Sequence, residues 1–189
     1  MSENKNYYVH PSAYVEDGVS IGEGTKIWHL VQVREGAKLG KNCIVGKSVF
    51  IDTKVPIGNN VKIQNFVSIY HGVRIEDDVF VGPHVCFTND YLPRATSQDW
   101  ELVETTVRKG ASLGANSTIV CGITIEQYAM IGAASLVSKN VGHHELVYGN
   151  PARLQGYVCY CGNILIKTKE PLPKGEILHC EKCKKTVEI

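Results

Sequence analysis

The chain has 189 residues, of which 43% are hydrophobic and 21% charged, and its formal net charge is +1. This size and composition predict a soluble globular protein with one main domain and a small additional one. The near-neutral charge offers no basic surface for nucleic acid, and the longest apolar run, residues 128–137, is too short to span a bilayer. The opening segment MSENKNYY lacks the apolar stretch of a signal peptide, so we expect a cytoplasmic protein whose seven cysteines are reduced or bind metal.

A six-residue period begins near the N-terminus and determines the fold class. Aliphatic residues occupy every sixth position from Val9 to Val81 and again from Val107 to Val137. Positions i and i+6 of a helix lie about 120° out of alignment, so the period does not fit a helix. It predicts instead a series of short strands, each with one aliphatic side chain directed inward.

Turn-forming residues recur inside the same repeats. Gly, Asn or Asp fills the fourth position in eleven of nineteen hexads, namely Gly18, Gly24, Gly36, Asn42, Asn60, Gly72, Asp78, Gly110, Asn116, Gly122 and Asn140. These residue types tolerate left-handed backbone angles. Each hexad therefore predicts a strand and a corner, and three hexads make one triangular coil of an all-β parallel β-helix of about six coils.

The period stops after Phe87 and resumes at Val107. The intervening Thr88–Thr106 is polar, charged and aromatic, and structureless segments of this length are uncommon in compact domains unless they are functional or disordered. We expect a loop protruding from the prism, with Arg94 and Trp100 able to line a binding wall. A floppy insertion between coils is the alternative.

Several segments carry a resemblance to a known family. RIEDDVFVGPHVCFTNDYLPRA, KIQNFVSIYHGV, KIWHLVQV, VRKGASLGANSTIVCGITI and YGNPAR resemble the bacterial nucleotide-sugar N-acetyltransferases over about residues 7–158. The resemblance implies a left-handed β-helix, a homotrimer with active sites between adjacent subunits, and acetyl-CoA as co-substrate. The implied acceptor is the 3-amino group of a UDP- or dTDP-linked amino sugar for bacterial surface polysaccharide or O-antigen.

Two residues before and in the loop are catalytic candidates. By the resemblance, Asn89 of the Phe-Thr-Asn element hydrogen-bonds the sugar amine. His84 lies five residues earlier at a predicted corner, and as a general base it would suit neutral pH. A solvated corner histidine is the alternative, in which case the leaving thiolate takes the amine proton.

Binding residues are assigned to the two substrates as follows. The candidates for the sugar nucleotide are His29, Gln64, Asn65, Tyr70 and Arg94. The guanidinium of Arg94 suits a phosphate or a sugar carboxylate, so uronic acid and 6-deoxy sugar both stay open. For acetyl-CoA, the small residues Gly114, Ala115 and Ala133 allow close approach of the pantetheine arm, and Lys139 and Arg153 suit the CoA phosphates. Corner and core geometry alone is the alternative explanation of the small residues.

The hexads end after Arg153, and a cysteine-rich tail follows. We predict a β-helix domain over residues 1–155 and a small module over 156–189. The pairs Cys159-x-Cys161 and Cys180-x-x-Cys183 resemble a zinc ribbon with four cysteine ligands. A metal would supply stability that so short a segment lacks. The first pair is shorter than the usual Cys-x-x-Cys, so free thiols are the alternative, and His179 is a possible substitute ligand.

Three other functions stay open at this stage. One is an O-acetyltransferase for a sugar or serine on the same fold. Another is a γ-type carbonic anhydrase, with His71 and His84 as part of a three-histidine zinc site between subunits. The third is a non-catalytic scaffold that uses the loop as an interaction surface.

Overall fold

The computed structural model describes residues 6–96 and 101–189. Within these ranges every regular element is a β-strand, and no helix has the length and apolar character that crossing a membrane requires. The strands are β1 (Tyr8–Val9), β2 (Tyr14–Val15), β3 (Ser20–Ile21), β4 (Lys26–Ile27), β5 (Gln32–Val33), β6 (Lys38–Leu39), β7 (Ile44–Val45), β8 (Phe50–Ile51), β9 (Pro56–Ile57), β10 (Lys62–Ile63), β11 (Ser68–Ile69), β12 (Val73–Ile75), β13 (Phe80–Val81), β14 (Cys86–Phe87), β15 (Thr105–Val107), β16 (Ser112–Leu113), β17 (Thr118–Ile119), β18 (Thr124–Ile125), β19 (Met130–Ile131), β20 (Leu136–Val137), β21 (Glu145–Gly149), β22 (Ala152–Val158), β23 (Ile164–Ile166), β24 (Ile177–His179) and β25 (Thr186–Glu188).

Three sheets form the walls of a triangular prism, as the six-residue period predicts. Sheet A runs β1-β4-β7-β10-β13-β16-β19-β21-β22-β23, sheet B runs β2-β5-β8-β11-β14-β17-β20, and sheet C runs β18-β15-β12-β9-β6-β3. From β1 to β17, each strand pairs in parallel with the third strand after it, as Tyr8 with Lys26. That offset of eighteen residues confirms three hexads per coil.

The aliphatic residues of the hexads form one continuous core along the prism axis. Ile27, Ile63 and Ile119 are fully buried, and each such side chain contributes on the order of 1.5–3 kcal/mol. Cys43 is also fully buried, and its thiol donates to the Gly58 carbonyl at 3.1 Å. Val9 packs against the core but is only partly buried, because it lies in the first of the described coils.

The corners have left-handed backbone angles whether or not glycine occupies them. Ten of the eleven predicted turn residues have positive φ, and Leu30, Phe66 and His84 adopt the same conformation with φ near 60°. The coil therefore imposes the corner geometry, and glycine, asparagine and aspartate merely adopt it at lower cost. Asn140 is the exception, because its φ is not positive and its side-chain oxygen accepts a hydrogen bond from the Thr124 amide at 2.8 Å.

The predicted loop emerges where the period stops. β14 ends at Phe87 and β15 begins at Thr105, while Val73 pairs directly with Thr105 across the gap. The chain returns against the prism through Leu102, whose Cδ1 would lie 2.8 Å from a Cβ built on Gly72. Trp100 lies outside the described residues.

The solenoid is longer than the predicted six coils. Sheet A alone has eight parallel strands from β1 to β21, which gives about eight turns. The count from hexads misses β21 because Val147 follows Val137 by ten residues, so the last level is out of phase with the repeat.

The tail continues from the prism without a break in the sheet. β22 pairs antiparallel with β21 on one side and with β23 on the other, and β24 and β25 form a separate hairpin. The predicted boundary between residues 155 and 156 falls inside β22. The division into two domains stays a prediction, since one strand belongs to both.

Candidate functional site

One corner of the prism, between sheets A and B, brings most of the candidate residues together. We call it the A/B corner; it consists of Leu30, Ser48, Phe66, His84, Asn116 and Ala134, which have φ between 56° and 60°. The amide of each later residue donates to a carbonyl of the preceding coil: Ser48 to His29 (2.9 Å), Phe66 to Lys47 (2.9 Å), His84 to Asn65 (3.0 Å), Asn116 to Pro83 (2.9 Å) and Ala134 to Ala115 (2.8 Å). Candidates for sugar nucleotide, catalysis and acetyl-CoA thus follow one another along this edge.

A groove beside the A/B corner contains three of the five sugar-nucleotide candidates. It encloses about 330 Å³ and is lined by Trp28, His29, Ile44, Gly46, Lys47, Ile63, Gln64 and Asn65. The Asn65 side chain accepts a hydrogen bond from the Lys47 amide at 2.8 Å, so the amide group is held in a fixed direction. The groove offers an aromatic ring, amides and one ammonium group, which together suit a base, a sugar and a phosphate.

Tyr70 and Arg94 lie elsewhere. Tyr70 follows β11 in sheet B, where its ring packs against Phe50 with centroids 5.7 Å apart. Arg94 is exposed in the loop, and its guanidinium donates to the neighbouring Pro93 carbonyl at 2.9 Å. The structure does not bring either residue to the groove in one chain, so their roles stay predictions.

The two catalytic candidates flank β14. His84 precedes the strand at the A/B corner, is exposed, and stacks on Phe66 with centroids 4.9 Å apart and planes 17° apart. Asn89 follows the strand at the start of the loop and is half-buried. Because they occupy opposite ends of one strand, they are separate candidates for contact with the reacting amine.

The small residues assigned to acetyl-CoA are required by coil packing. A Cβ built on Gly114 would lie 2.5 Å from the Ala133 amide nitrogen, and one on Gly82 would lie 2.7 Å from the Ala115 amide nitrogen. Close backbone approach therefore explains glycine at these positions without a ligand. Ala133 is nevertheless exposed next to the A/B corner, so the corner leaves room for a thin ligand.

The two basic candidates for CoA phosphates line one cavity at the C-terminal end of the prism. This cavity of about 200 Å³ is lined by Val137, Ser138, Lys139, Asn140, Val141, Glu145, Val147, Ala152, Arg153 and Leu154. Lys139 and Arg153 are both exposed. Glu145 is the acidic neighbour, but its carboxylate accepts a hydrogen bond from the Gly142 amide at 2.7 Å and is directed into that turn.

The four tail cysteines form a compact cluster. The sulfur atoms of Cys159, Cys161, Cys180 and Cys183 all lie within 4.8 Å of one another, and His179 is not among them. Burial raises the pKa of the Cys159 thiol to about 12, whereas the Cys183 backbone amide lowers the pKa of Cys180 to about 6. The cluster thus favours one thiolate before any cation is present.

Three aromatic residues outside the core, Trp28, Phe66 and Tyr128, differ in their exposure. Trp28 and Phe66 are 39% and 45% exposed. Tyr128 is only half-buried because its own chain covers it, with Tyr160 against one side and His144 against its ring face.

Comparison with known proteins agrees with this architecture. Residues 18–53 and 57–89 match the family described as bacterial transferase hexapeptide (six repeats), and residues 106–139 match the hexapeptide repeat of succinyl-transferase. The chain is 51% identical over 160 residues to dTDP-3-amino-3,6-dideoxy-alpha-D-galactopyranose 3-N-acetyltransferase from Aneurinibacillus thermoaerophilus, covering 85% of this chain and 83% of that one. This chain belongs to the hexapeptide-repeat nucleotide-sugar N-acetyltransferases.

Two solved structures share the fold of this family member. One is a hexapeptide-repeat acetyltransferase from Vibrio cholerae complexed with acetyl coenzyme A, with 26% identity, a TM-score of 0.56, and coverage of 65% of this chain and 70% of that one. The other is PerB from Caulobacter crescentus in complex with CoA and GDP-perosamine, with 21% identity and a TM-score of 0.51. The match covers 78% of this chain but only 56% of PerB.

Sequence reasoning did not assign Lys47 to the site. Lys47 lines the groove, and its ammonium lies 5.8 Å from the centroid of the Phe66 ring. It precedes the corner residue Ser48 by one position, just as His29 precedes Leu30 and Asn65 precedes Phe66. That shared hexad position is the signal by which the sequence could have identified it.

Proposed function

We propose that the protein transfers the acetyl group of acetyl-CoA to the 3-amino group of a dTDP-linked 3-amino sugar, in the biosynthesis of a bacterial surface polysaccharide. The observation that carries the proposal is the alignment of candidate residues along the A/B corner, in a chain 51% identical to a dTDP-amino-sugar 3-N-acetyltransferase. The same relative favours dTDP over UDP and a 6-deoxy sugar over a uronic acid.

The reaction requires a neutral amine held against the thioester carbonyl. The amine nitrogen attacks the carbonyl carbon and forms the amide bond, the carbon–sulfur bond breaks, and CoA leaves as the thiolate. The amine loses one proton, which passes to His84 as general base or directly to the departing thiolate. Positioning alone supplies effective molarities of about 10⁵–10⁸ M in well-oriented systems, so a rigid prism suits this chemistry.

His84 is the preferred general base in this proposal. Its ring is exposed at the corner, held by stacking on Phe66, and lies one coil above the groove residue Asn65. We assign Asn89 to orient the sugar amine through its side-chain oxygen. Their positions at opposite ends of β14 fit a site completed by a neighbouring subunit, and we propose a homotrimer on that ground.

The co-substrate and the cellular setting follow from the same proposal. Acetyl-CoA would lie along the later coils beside Ala115 and Ala133, with its phosphates near Lys139 and Arg153. None of the seven cysteines, all of which lie within the described residues, forms a disulfide; this suits a reducing compartment, and we propose the cytoplasm, where acetyl-CoA is available.

Release of CoA thiol with a panel of acceptors tests this function. The panel pairs dTDP- and UDP-linked 3-amino sugars with their 4-amino isomers and with the corresponding hydroxyl sugars and serine. We expect turnover with a dTDP-linked 3-amino sugar at a kcat/KM at least tenfold above the UDP-linked analogue. Turnover with hydroxyl acceptors and none with any amine would establish an O-acetyltransferase instead, and no turnover with any acceptor would favour a scaffold.

A further inference from the structure

The geometry of the cysteine cluster matches a tetrahedral metal site. Four sulfurs bound at about 2.3 Å to one ion lie roughly 3.8 Å from one another. The Cys159 and Cys183 sulfurs are 3.3 Å apart and the Cys161 and Cys180 sulfurs are 3.7 Å apart. All four lie within 4.8 Å of one another, so placing a single ion at their centre changes no sulfur–sulfur distance by more than about 1 Å.

Backbone hydrogen bonds hold each cysteine pair in a tight turn. The Cys159 amide donates to the Asn163 carbonyl at 2.8 Å, and the Cys180 amide donates to the Lys185 carbonyl at 2.9 Å. In both turns the residue after the second cysteine is left-handed, with φ of 80° at Gly162 and 60° at Lys184. Two such turns facing each other present all four sulfurs to the same point.

The turns have little apolar support of their own. The small core around the cysteines contains Val187 as its only fully buried aliphatic residue within the described chain, with Leu165 and Ile189 partly buried beside it. A core of this size does not hold so short a segment folded, so another source of stability is required. Binding of a metal is such a source, because its free energy is available only when the ligands are assembled.

The cluster is joined to the β-helix by a strand and by an aromatic contact. β22 leads directly into Cys159 and extends sheet A, so the tail covers the sheet edge left by β21. Tyr160, between the first two cysteines, packs edge-on against Tyr128 and His144 at centroid distances of 4.7 and 4.6 Å. The tail therefore packs against the last coils and covers them.

We propose that Cys159, Cys161, Cys180 and Cys183 bind one structural Zn²⁺ and that this metal holds the tail in place as the C-terminal cap of the β-helix. Sulfur-only ligands in a tetrahedron favour zinc among the abundant divalent ions. Four protein ligands leave no open position, so the ion has no part in acetyl transfer. Lys182, Lys184 and Lys185 lie in or next to the second turn, and Lys184 pairs with Glu181 at 2.9 Å, so the turn keeps a net positive charge that reduces the electrostatic cost of a doubly negative zinc–thiolate centre.

Metal analysis of the purified full-length protein tests the site. We expect about one zinc per chain by elemental mass spectrometry, and a folded mass in native mass spectrometry that exceeds the chain mass by one zinc minus the thiol protons released. Substituting Co²⁺ for zinc should give the visible ligand-field bands of a tetrahedral thiolate complex. Metal-free protein with two disulfides, or bound iron in place of zinc, would overturn the proposal.

Cysteine variants distinguish the cluster from the other thiols. Cys183→Ser should lower zinc content to well below one per chain, whereas Cys86→Ser, at a half-buried thiol in β14, should leave it unchanged. Equal zinc in both variants would show that the metal lies elsewhere, including between subunits as in a carbonic anhydrase.

The capping role is tested on the wild-type protein, which avoids variants that fail to fold. After zinc is removed with a chelator, hydrogen exchange should accelerate in residues 142–189 and leave the coils up to β17 protected. Readdition of zinc should restore protection. Unchanged exchange in the tail after complete metal removal would show that the ion does not hold the cap.

Discussion

The imidazole of His144 lies nearly parallel to the phenol ring of Tyr128, with centroids 5.2 Å apart and an interplanar angle of 17°. His144 is fully buried, and its Nδ1 lies 2.6 Å from the Val158 carbonyl oxygen, so this nitrogen carries the proton and donates it. The Nε2 atom is buried and has no hydrogen-bond partner among residues 6–96 and 101–189. The pair marks the point where the corner between sheets C and A meets the cysteine-rich tail.

This burial makes folding stability depend on pH. Burial lowers the pKa of His144 from 6.5 to about 4, with His143 adding a smaller lowering and the Val158 carbonyl opposing it. The unfolded chain takes up the proton near pH 6.5 and the folded chain does not, so stability is complete above pH 6.5 and falls as the pH drops toward 4. The slope approaches about 1.4 kcal/mol per pH unit. Urea unfolding at pH 7.5, 6 and 5 measures this slope of the free energy of unfolding with pH.

His144→Asn is the matched control for that slope. Asparagine tolerates the φ of 58° at this corner and retains a donor for the Val158 carbonyl, but it does not titrate. Any loss of stability from protonation of the tail cysteines is common to both proteins. A wild-type slope no steeper than that of the variant would contradict the assignment.

Replacing His84 with asparagine should slow the chemical step. Asparagine accepts the left-handed corner but provides no general base, so we expect kcat to fall about 100-fold and KM for acetyl-CoA to change little. Full activity in His84→Asn would mean that the thiolate takes the amine proton.

Asn89→Ala should act differently, since this residue is assigned to orient the amine. We expect a roughly tenfold loss in kcat/KM for the amino sugar and an unchanged pH–rate profile. Light scattering of each variant confirms that the oligomer is intact. An Asn89→Ala variant with wild-type kinetics would remove the residue from the mechanism.

A truncated co-substrate tests whether Lys139 and Arg153 bind the phosphates of CoA. If these cations bind CoA phosphates, Lys139→Ala and Arg153→Ala should each raise KM for acetyl-CoA about tenfold, and less for acetyl-dephospho-CoA, which lacks one phosphate. Lys169→Ala is the control, because this exposed lysine lies outside the cavity. Equal effects on both co-substrates would place the 3′-phosphate elsewhere.

Close packing of the coils predicts a difference between two glycines. Gly114→Ala places a methyl group 2.5 Å from backbone, and we expect it to lower the free energy of unfolding by about 3 kcal/mol or more. In Gly18→Ala the new methyl lies 3.9 Å from the Gly36 nitrogen, the nearest described atom beyond its chain neighbours, and the change should cost only about 1 kcal/mol, from its left-handed φ of 77°. Chemical denaturation measures both, and equal losses would contradict the packing argument.

The repeated parts of this fold are predictable from sequence because each hexad carries the same information. Burial at Ile27, Ile63 and Ile119 follows from the period alone, and the register follows once three hexads close a coil. The period does not predict β21, whose spacing differs. It places Leu30 and Phe66 at corners, but their own side chains give no signal for the left-handed backbone found there. At these corners the neighbouring coils determine the backbone conformation.

The site was only partly predictable for a related reason. His29, Lys47 and Asn65 share a groove because they occupy equivalent positions on successive coils. Aligning the sequence in steps of one coil, eighteen residues, shows this equivalence. The cavity of Lys139 and Arg153 joins residues on either side of β21 and depends on the turn at residues 149–152. Tertiary folding of a non-repetitive segment, rather than any motif, brings those two side chains together.

The direct pairing of Val73 with Thr105 has a consequence for how such enzymes diverge. Since β12 and β15 pair directly in sheet C, the stacking of the coils does not depend on the length of the segment between Phe87 and Thr105, and Leu102 of that segment packs near Gly72. We therefore expect exchange of this one segment to leave the coils folded, so that its contribution to acceptor preference can be tested on its own. A chimera that carries a relative's loop between Phe87 and Thr105 is the natural starting point for redirecting the acceptor.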